Sequence, residues 1–166
     1  MYNSIFKITA ISIFSLSLTA CFNDSHNKTV NTPPTTISVD LITQADTPIV
    51  EMVTAADVDM DILTFSVISE PTNGMLTLNS SGQFTYQPNA TVTGKDSFVF
   101  GVTDGNGSII DGTVNITIEA LQVNFSSYSR TVFAQDENDT PLPVNGREFT
   151  QNVTDANAYD DLLNNQ

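Results

Sequence analysis

Between residues 63 and 118 apolar side chains recur at every second position. Leu63, Phe65 and Val67 alternate with polar residues, as do Leu76 and Leu78, Phe84 and Tyr86, Phe98, Phe100 and Val102, and Val114, Ile116 and Ile118. A period of two belongs to strands that bury one face, not to helices. The runs are short and are divided by turn chemistry: Pro71-Thr-Asn-Gly74, Ser80-Ser-Gly82, Pro88-Asn89, Thr93-Gly94 and Asp104-Gly-Asn-Gly107. The expected strands lie near 37–41, 48–55, 62–69, 75–79, 83–87, 97–103 and 113–120. Two stacked sheets bury such faces about 10 Å apart. The expected fold is therefore all-β: an Ig-like, seven-stranded Greek-key sandwich over 36–121.

Burial must carry nearly all the stability, at about 1.5–3 kcal/mol for each fully covered side chain. The sequence has one cysteine, which excludes an intramolecular disulfide. The segment 48–55 fits the alternation badly. With Ile49, Val53 and Ala55 inward, Glu51 shares their face; with Val50 and Met52 inward, Ile49 and Val53 are exposed. A bulge reconciles the pattern, and the expectation is Ile49 and Val53 inward.

Ahead of the Leu63 strand the same spacing carries charge: Asp57, Asp59 and Asp61 occupy alternate positions. In a sandwich of alternating strands the loops near 57–61 and 104–107 emerge at the same end. Asp57, Asp59 and Asp61 are thus expected beside Asp104 and Asn106. Calcium takes 6–8 oxygens at about 2.3–2.6 Å, which these side chains and backbone carbonyls could supply. Without a cation, clustered carboxylates raise one another's pKa values. The spacing is not that of an EF-hand, since Met60 and Ile62 interrupt it and no Glu closes the loop. The competing reading is that these are solvated loop acids.

The N-terminus reads as an address. Residues 1–20 carry Lys7 and then an apolar, Ser/Thr-containing run that is too short to span a bilayer. It ends Leu18-Thr19-Ala20-Cys21, which resembles the lipobox of bacterial lipoproteins. That resemblance implies a lipidated Cys21 at the mature N-terminus, and several acyl chains give a durable anchor. Phe22 after the cysteine favours the outer membrane, facing the periplasm or the surface. Residues 21–35 are polar with Pro33-Pro34 and are expected to form a disordered tether.

Charge narrows the partners. The chain has 19 acidic and 5 basic residues, for a net charge of −14. Such a surface repels nucleic acid and anionic lipid. His26 is the single histidine and there is no Trp, so a His/Cys metal cage is not available. No nucleophile–base pair, nucleophile elbow or Ser-x-x-Lys motif is present, which points away from an enzyme.

Several motifs in order resemble bacterial cadherin-like, Ig-like repeats. They are Asp46-Thr-Pro48, then Ala-x-Asp-x-Asp-x-Asp-x-Leu-Thr-Phe-Ser-Val, Pro-Thr-Asn-Gly with Leu-Thr-Leu, Gly-x-Phe-Thr-Tyr-x-Pro-Asn-Ala, and Gly-x-Asp-Ser-Phe-x-Phe-x-Val-x-Asp-Gly-Asn-Gly. The resemblance implies surface or adhesion modules that are often calcium-linked, with Asp57, Asp59 and Asp104 as matching ligands. It departs at Ala45, where the family has Glu, at Met60, where it has Gly, and at Val92, where an aromatic is common. The family's remaining ligands come from the linker that precedes the repeat and from the acid replaced by Ala45, and neither is expected in this chain.

Residues 122–166 are expected to be partly disordered or a truncated second repeat. Residues 124–133 could extend the last strand, and 154–163 could form a short helix capped by Thr154. Two functions follow. One is a lipid-anchored, non-catalytic adhesion or structural module that meets a protein partner, with weak calcium binding. The other is an accessory lipoprotein recognising a glycan or an envelope protein, with Tyr128, Phe133 and Tyr159 as its aromatic candidates.

Overall fold

A computed structural model describes residues 30–155 and 157–160. The expected signal peptide, Cys21 and His26 lie outside the described residues. The chain divides into Met1–Val30 and Asn31–Gln166, and the architecture below is that of the second unit. In chain order its elements are β1 (Thr35–Thr36), β2 (Val39–Gln44), β3 (Ile49–Met52), β4 (Ala55–Ala56), β5 (Thr64–Ser69), β6 (Gly74–Leu78), β7 (Gln83–Pro88), β8 (Gly94–Thr103), β9 (Ile110–Glu119), β10 (Leu121–Asn124), α1 (Phe125–Phe133) and β11 (Arg147–Thr150).

Two sheets face each other as the alternation requires. One has the order β2-β9-β8-β5 and the other β3-β7-β6. All neighbours are antiparallel except β2 and β9, which run parallel from Val39↔Val114 to Gln44↔Glu119. This is the expected Ig-like sandwich. Its centre comes from the inward positions of the alternating runs: Phe84, Tyr86, Phe98, Phe100, Val102, Val114, Ile116 and Ile118 are buried. Phe84 of one sheet meets Phe98 of the other edge-on, with centroids 5.2 Å apart, a favoured aromatic geometry. Phe65, Leu76 and Leu78 pack against this centre but are half-buried, because β5 and β6 are the outer strands of their sheets. Leu63 and Val67 are also half-buried.

Five expected strands differ in detail, two of them by starting earlier: those expected at 97–103 and 113–120 begin at Gly94, which was expected in a turn, and at Ile110. The strand expected at 37–41 is instead β1 and β2, interrupted at Ile37 and Ser38. The chain leaves the β1–β4 pair and joins β9 in the other sheet, so residues at the crossing have no ladder partner. The strand expected at 48–55 is broken between Met52 and Ala55. Ile49 and Val53 are buried while Val50 and Met52 are exposed, in the orientation expected. The break takes the place of a bulge, with Val53 N–H donating to the Gly82 carbonyl at 2.9 Å. Glu51 stays in solvent on this edge strand. The strand expected from 62 begins at Thr64, and its one register shift falls between Val67 and Ser69.

The disordered tether expected over 21–35 does not extend over 31–35. Pro34 is buried, Thr35 and Thr36 pair with Ala56 and Ala55, and Asn31 and Thr32 bond to the acidic end.

The extended segment expected over 124–133 stops at Asn124, the last residue of β10, and Phe125–Phe133 form α1. Phe125, Tyr128 and Val132 share a helical face, and Phe149 of β11 receives Phe125 and Tyr128 at 6.4 and 4.8 Å. Asn124 makes no capping bond with its side chain; Asn152 Oδ1 accepts the Ser126 N–H instead. β10 and β11 run parallel with α1 in the connection between them, so this is a strand–helix–strand unit rather than the start of a second repeat. Gly146 locks it to the sandwich. Its φ is +69°, and a Cβ there would collide with the Thr91 backbone. Arg147 Nη2 reaches Asp46 Oδ2 at 3.3 Å, and Asp46 Oδ1 accepts the Thr91 N–H. Of the helix expected at 154–163, the described part is a turn at 157–159 followed by Asp160.

Candidate metal centre

The acidic residues come together because β3/β4, β5, β8 and β9 all turn at the same end. The 57–61 loop is pinned by its own carboxylates. Asp57 Oδ1 accepts the N–H groups of Asp59 at 2.9 Å and Asp61 at 3.1 Å. Met60, between them, takes a φ of +64°, a left-handed conformation that is unusual for a residue with a side chain.

Across from this loop, between β8 and β9, Asp104 Oδ1 accepts the Asn106 N–H at 2.8 Å. Asn106 Nδ2 donates to Asp61 Oδ2 at 3.2 Å and to Asn31 Oδ1 at 3.1 Å. Asn31 Nδ2 donates to Asp104 Oδ2 at 2.6 Å, and Thr32 N–H donates to Asp59 Oδ2 at 2.7 Å.

All five residues expected at this end, Asp57, Asp59, Asp61, Asp104 and Asn106, are therefore linked in one network. Sequence reasoning missed Asn31 and Thr32, which it placed in the tether. The usable signal was the resemblance itself, which puts ligands in the chain preceding the repeat.

The electrostatics differ from the expectation for clustered carboxylates at Asp104. The Asn31 carboxamide and the Asn106 N–H outweigh partial burial and hold its carboxyl below the ordinary range.

The donors suit a hard cation, being oxygens of carboxylates and carboxamides. One atom has no partner: Asp57 Oδ2 is buried and makes no hydrogen bond. A cation would satisfy it. The carboxamide N–H groups of Asn31 and Asn106 now occupy oxygens that a metal would need. Among the described residues no three His, Cys, Asp or Glu side chains stand together as a group able to hold a metal. Asn31 and Asn106 would have to turn their oxygens inward.

At the opposite end sits a carboxylate of another kind. Asp96 is buried and accepts the N–H groups of Thr72, Asn73 and Ser97 and the Tyr86 hydroxyl, at 2.8–2.9 Å. Burial pushes its carboxyl up, but those donors outweigh it and hold the pKa below the usual range. Burial and the adjacent Asp96 push the Tyr86 hydroxyl well above its ordinary value. Every oxygen here is engaged, so this is a structural clasp.

The model of the bacterial cadherin-like domain matches residues 21–120. The chain belongs to this family. Comparison with curated proteins found no match. Among solved structures, a nucleoside hydrolase-related hypothetical protein from Saccharophagus degradans aligns at 15% identity and TM-score 0.46, over 54% of this chain and 26% of that one. Human protocadherin-24 EC1-2 aligns at 16% identity and TM-score 0.45, over 57% and 52%. An endo-fucoidan hydrolase of glycoside hydrolase family 107 aligns at 28% identity and TM-score 0.38, over 51% and 15%. The chain thus spans about a quarter of the first and about half of the second. Membership in the cadherin-like family suggests a protein-interaction or adhesion module. Where the family resemblance places an acid, the chain has Ala45, fully buried.

Proposed function

We propose that the chain is a non-catalytic, lipid-anchored module of the bacterial cell envelope, held at the outer membrane through Cys21. It engages a protein partner in adhesion or in a structural contact, and it binds calcium weakly at its acidic end. The observation that carries the calcium reading is Asp57 Oδ2, buried without a partner amid Asn31, Asp59, Asp61, Asp104 and Asn106.

Affinity should be of order 10⁻⁴–10⁻³ M, as in extracellular modules. The test is the melting temperature of the full chain against calcium. A rise of several degrees by about 10 mM is expected, and Asp57→Asn should abolish it; no shift at that concentration removes calcium from the reading. Anchoring is tested separately by mass spectrometry of the membrane-extracted protein. Acyl chains on Cys21 are expected, and a free thiol there overturns the anchor.

The second reading, recognition of a glycan, is favoured by an open groove of about 760 Å³ lined by Asp40, Ile42, Glu70, Lys95, Ser97 and Asn115. The aromatic platform it expected is dispersed. Tyr128 packs on Phe149, Tyr159 is half-buried, and Phe133 is the exposed member of the three. A glycan array on the full chain separates the readings, since the adhesion reading expects no glycan hit.

A further inference from the structure

The loop that carries the three aspartates has a second face. Val58, Met60 and Ile62 alternate with Asp57, Asp59 and Asp61, and they stand 77%, 90% and 88% exposed. The carboxylates are tied down to backbone N–H groups and to Asn106, and the three apolar side chains are left to solvent on one short loop at the tip of the sandwich, here termed the ridge. Scattered exposed apolar residues are ordinary; three in one short pinned loop are a patch.

Met60 makes the point sharper. It holds a left-handed φ of +64°, which a glycine would adopt freely, yet nearly all of its side chain lies in water. Nothing within the fold rewards a methionine at that position.

We propose that this ridge is a docking surface for a partner protein that offers an apolar cleft flanked by lysine or arginine side chains. Charge complementarity selects that occupant. Asp57, Asp59, Asp61 and Asp104 lie at this end, and its three loops, 53–63, 78–83 and 103–110, contain no Lys or Arg. A second copy would bring the same charge to the same end, and a membrane with anionic headgroups is repelled by a chain of net charge −14. The loop is also preorganised by its internal hydrogen bonds, which lowers the ordering cost of binding. This deepens the reading of the chain as a protein-interaction module and rests on it, but it does not require calcium.

The test uses the full chain in EDTA at about 0.15 M salt, where charge is screened beyond about 8 Å. Two labelled peptides serve as probes, one alternating Leu with Lys and one alternating Ser with Lys. The Leu–Lys peptide should bind at least about tenfold more tightly than the Ser–Lys peptide. In the variant V58S/M60N/I62S that difference should vanish while the melting temperature is kept. Equal binding of the two peptides, or a difference that survives in the variant, overturns the ridge.

Two controls test the other occupants. Binding to phosphatidylcholine or phosphatidylglycerol vesicles that is lost in the variant would assign the ridge to lipid and overturn the proposal. Self-association in sedimentation velocity that is lost in the variant would assign it to a second copy, with the same consequence. The calcium titration above judges the metal reading separately, because these measurements are made in chelator.

Discussion

At the scale of single residues, two positions repay a test. Asp96 gathers three backbone N–H groups and the Tyr86 hydroxyl at the start of β8, while the Tyr86 ring lies so close over Gly74 that a Cβ there would strike it. Replacing Asp96 by Asn keeps the shape but swaps an acceptor oxygen for a donor, so at least one buried donor loses its partner. A loss of about 3 kcal/mol is expected in urea denaturation at neutral pH. The sign of its pH dependence follows from its lowered pKa. A carboxyl whose pKa is depressed on folding stabilises above its unfolded value of about 3.9 and loses that contribution as pH falls through the folded value. Wild-type stability should therefore decline below about pH 4 more steeply than that of Asp96→Asn. Parallel acid limbs would rule this account out. Met60 is the converse case. Met60→Gly removes the strain of a left-handed non-glycine residue, and about 0.5–1 kcal/mol of stability should be gained, visible as a higher melting temperature. The same substitution should weaken binding at the ridge, so stability and docking are opposed at this one position.

At the scale of elements, what could be read from the sequence was whatever one face of one strand determines. The alternation from Phe65 to Ile118 placed β5 to β9 and their inward residues, because a one-residue slip would turn Phe98, Phe100 and Val102 outward. It could not show that the N-terminal strand divides its pairing between two sheets, since Thr35, Thr36 and Val39 carry no sign of the exchange. It also could not show α1. Residues 125–133 contain Phe, Tyr, Thr and Val, which favour strands, and the helix exists because Phe149, far along the chain, covers Phe125 and Tyr128. The acidic end was legible through Asp57, Asp59, Asp61 and Asp104, whose loops share an end by topology. Asn31 was not, because a polar residue in a polar stretch has no local signature. A prediction follows for the strand–helix–strand unit. Phe149→Ala removes the half-buried ring that holds α1 and should cost that unit about 2 kcal/mol. Hydrogen exchange should accelerate over 121–150 while β7, β8 and β9 keep their protection. Loss of protection in β8 as well would mean that the extension and the sandwich fold as one cooperative unit.

At the scale of the whole molecule, charge decides how the sandwich responds to its medium. With 19 acidic residues against 5 basic ones, the folded chain repels itself more than the expanded chain does, and salt relieves that repulsion. The melting temperature in chelator should therefore rise with sodium chloride up to about 0.5 M, where the screening length is a few ångströms. Such screening depends on ionic strength and is blind to which acids are clustered. A cation bound at Asp57 is not. Calcium at a few millimolar adds little ionic strength, so its effect on stability should exceed that of sodium chloride at matched ionic strength, and Asp57→Asn should erase the excess while leaving the sodium chloride response intact. Magnesium sharpens the comparison, because it demands a tighter octahedral shell and gives up water reluctantly. An acidic end whose carboxylates on two loops are already bonded to the N–H groups of Asp59, Asp61, Thr32 and Asn31 suits the larger and more tolerant ion. If magnesium and calcium raise the melting temperature equally, and Asp57→Asn changes neither response, the acidic end acts as a diffuse counter-ion trap and the unpartnered Asp57 Oδ2 has no metal to hold.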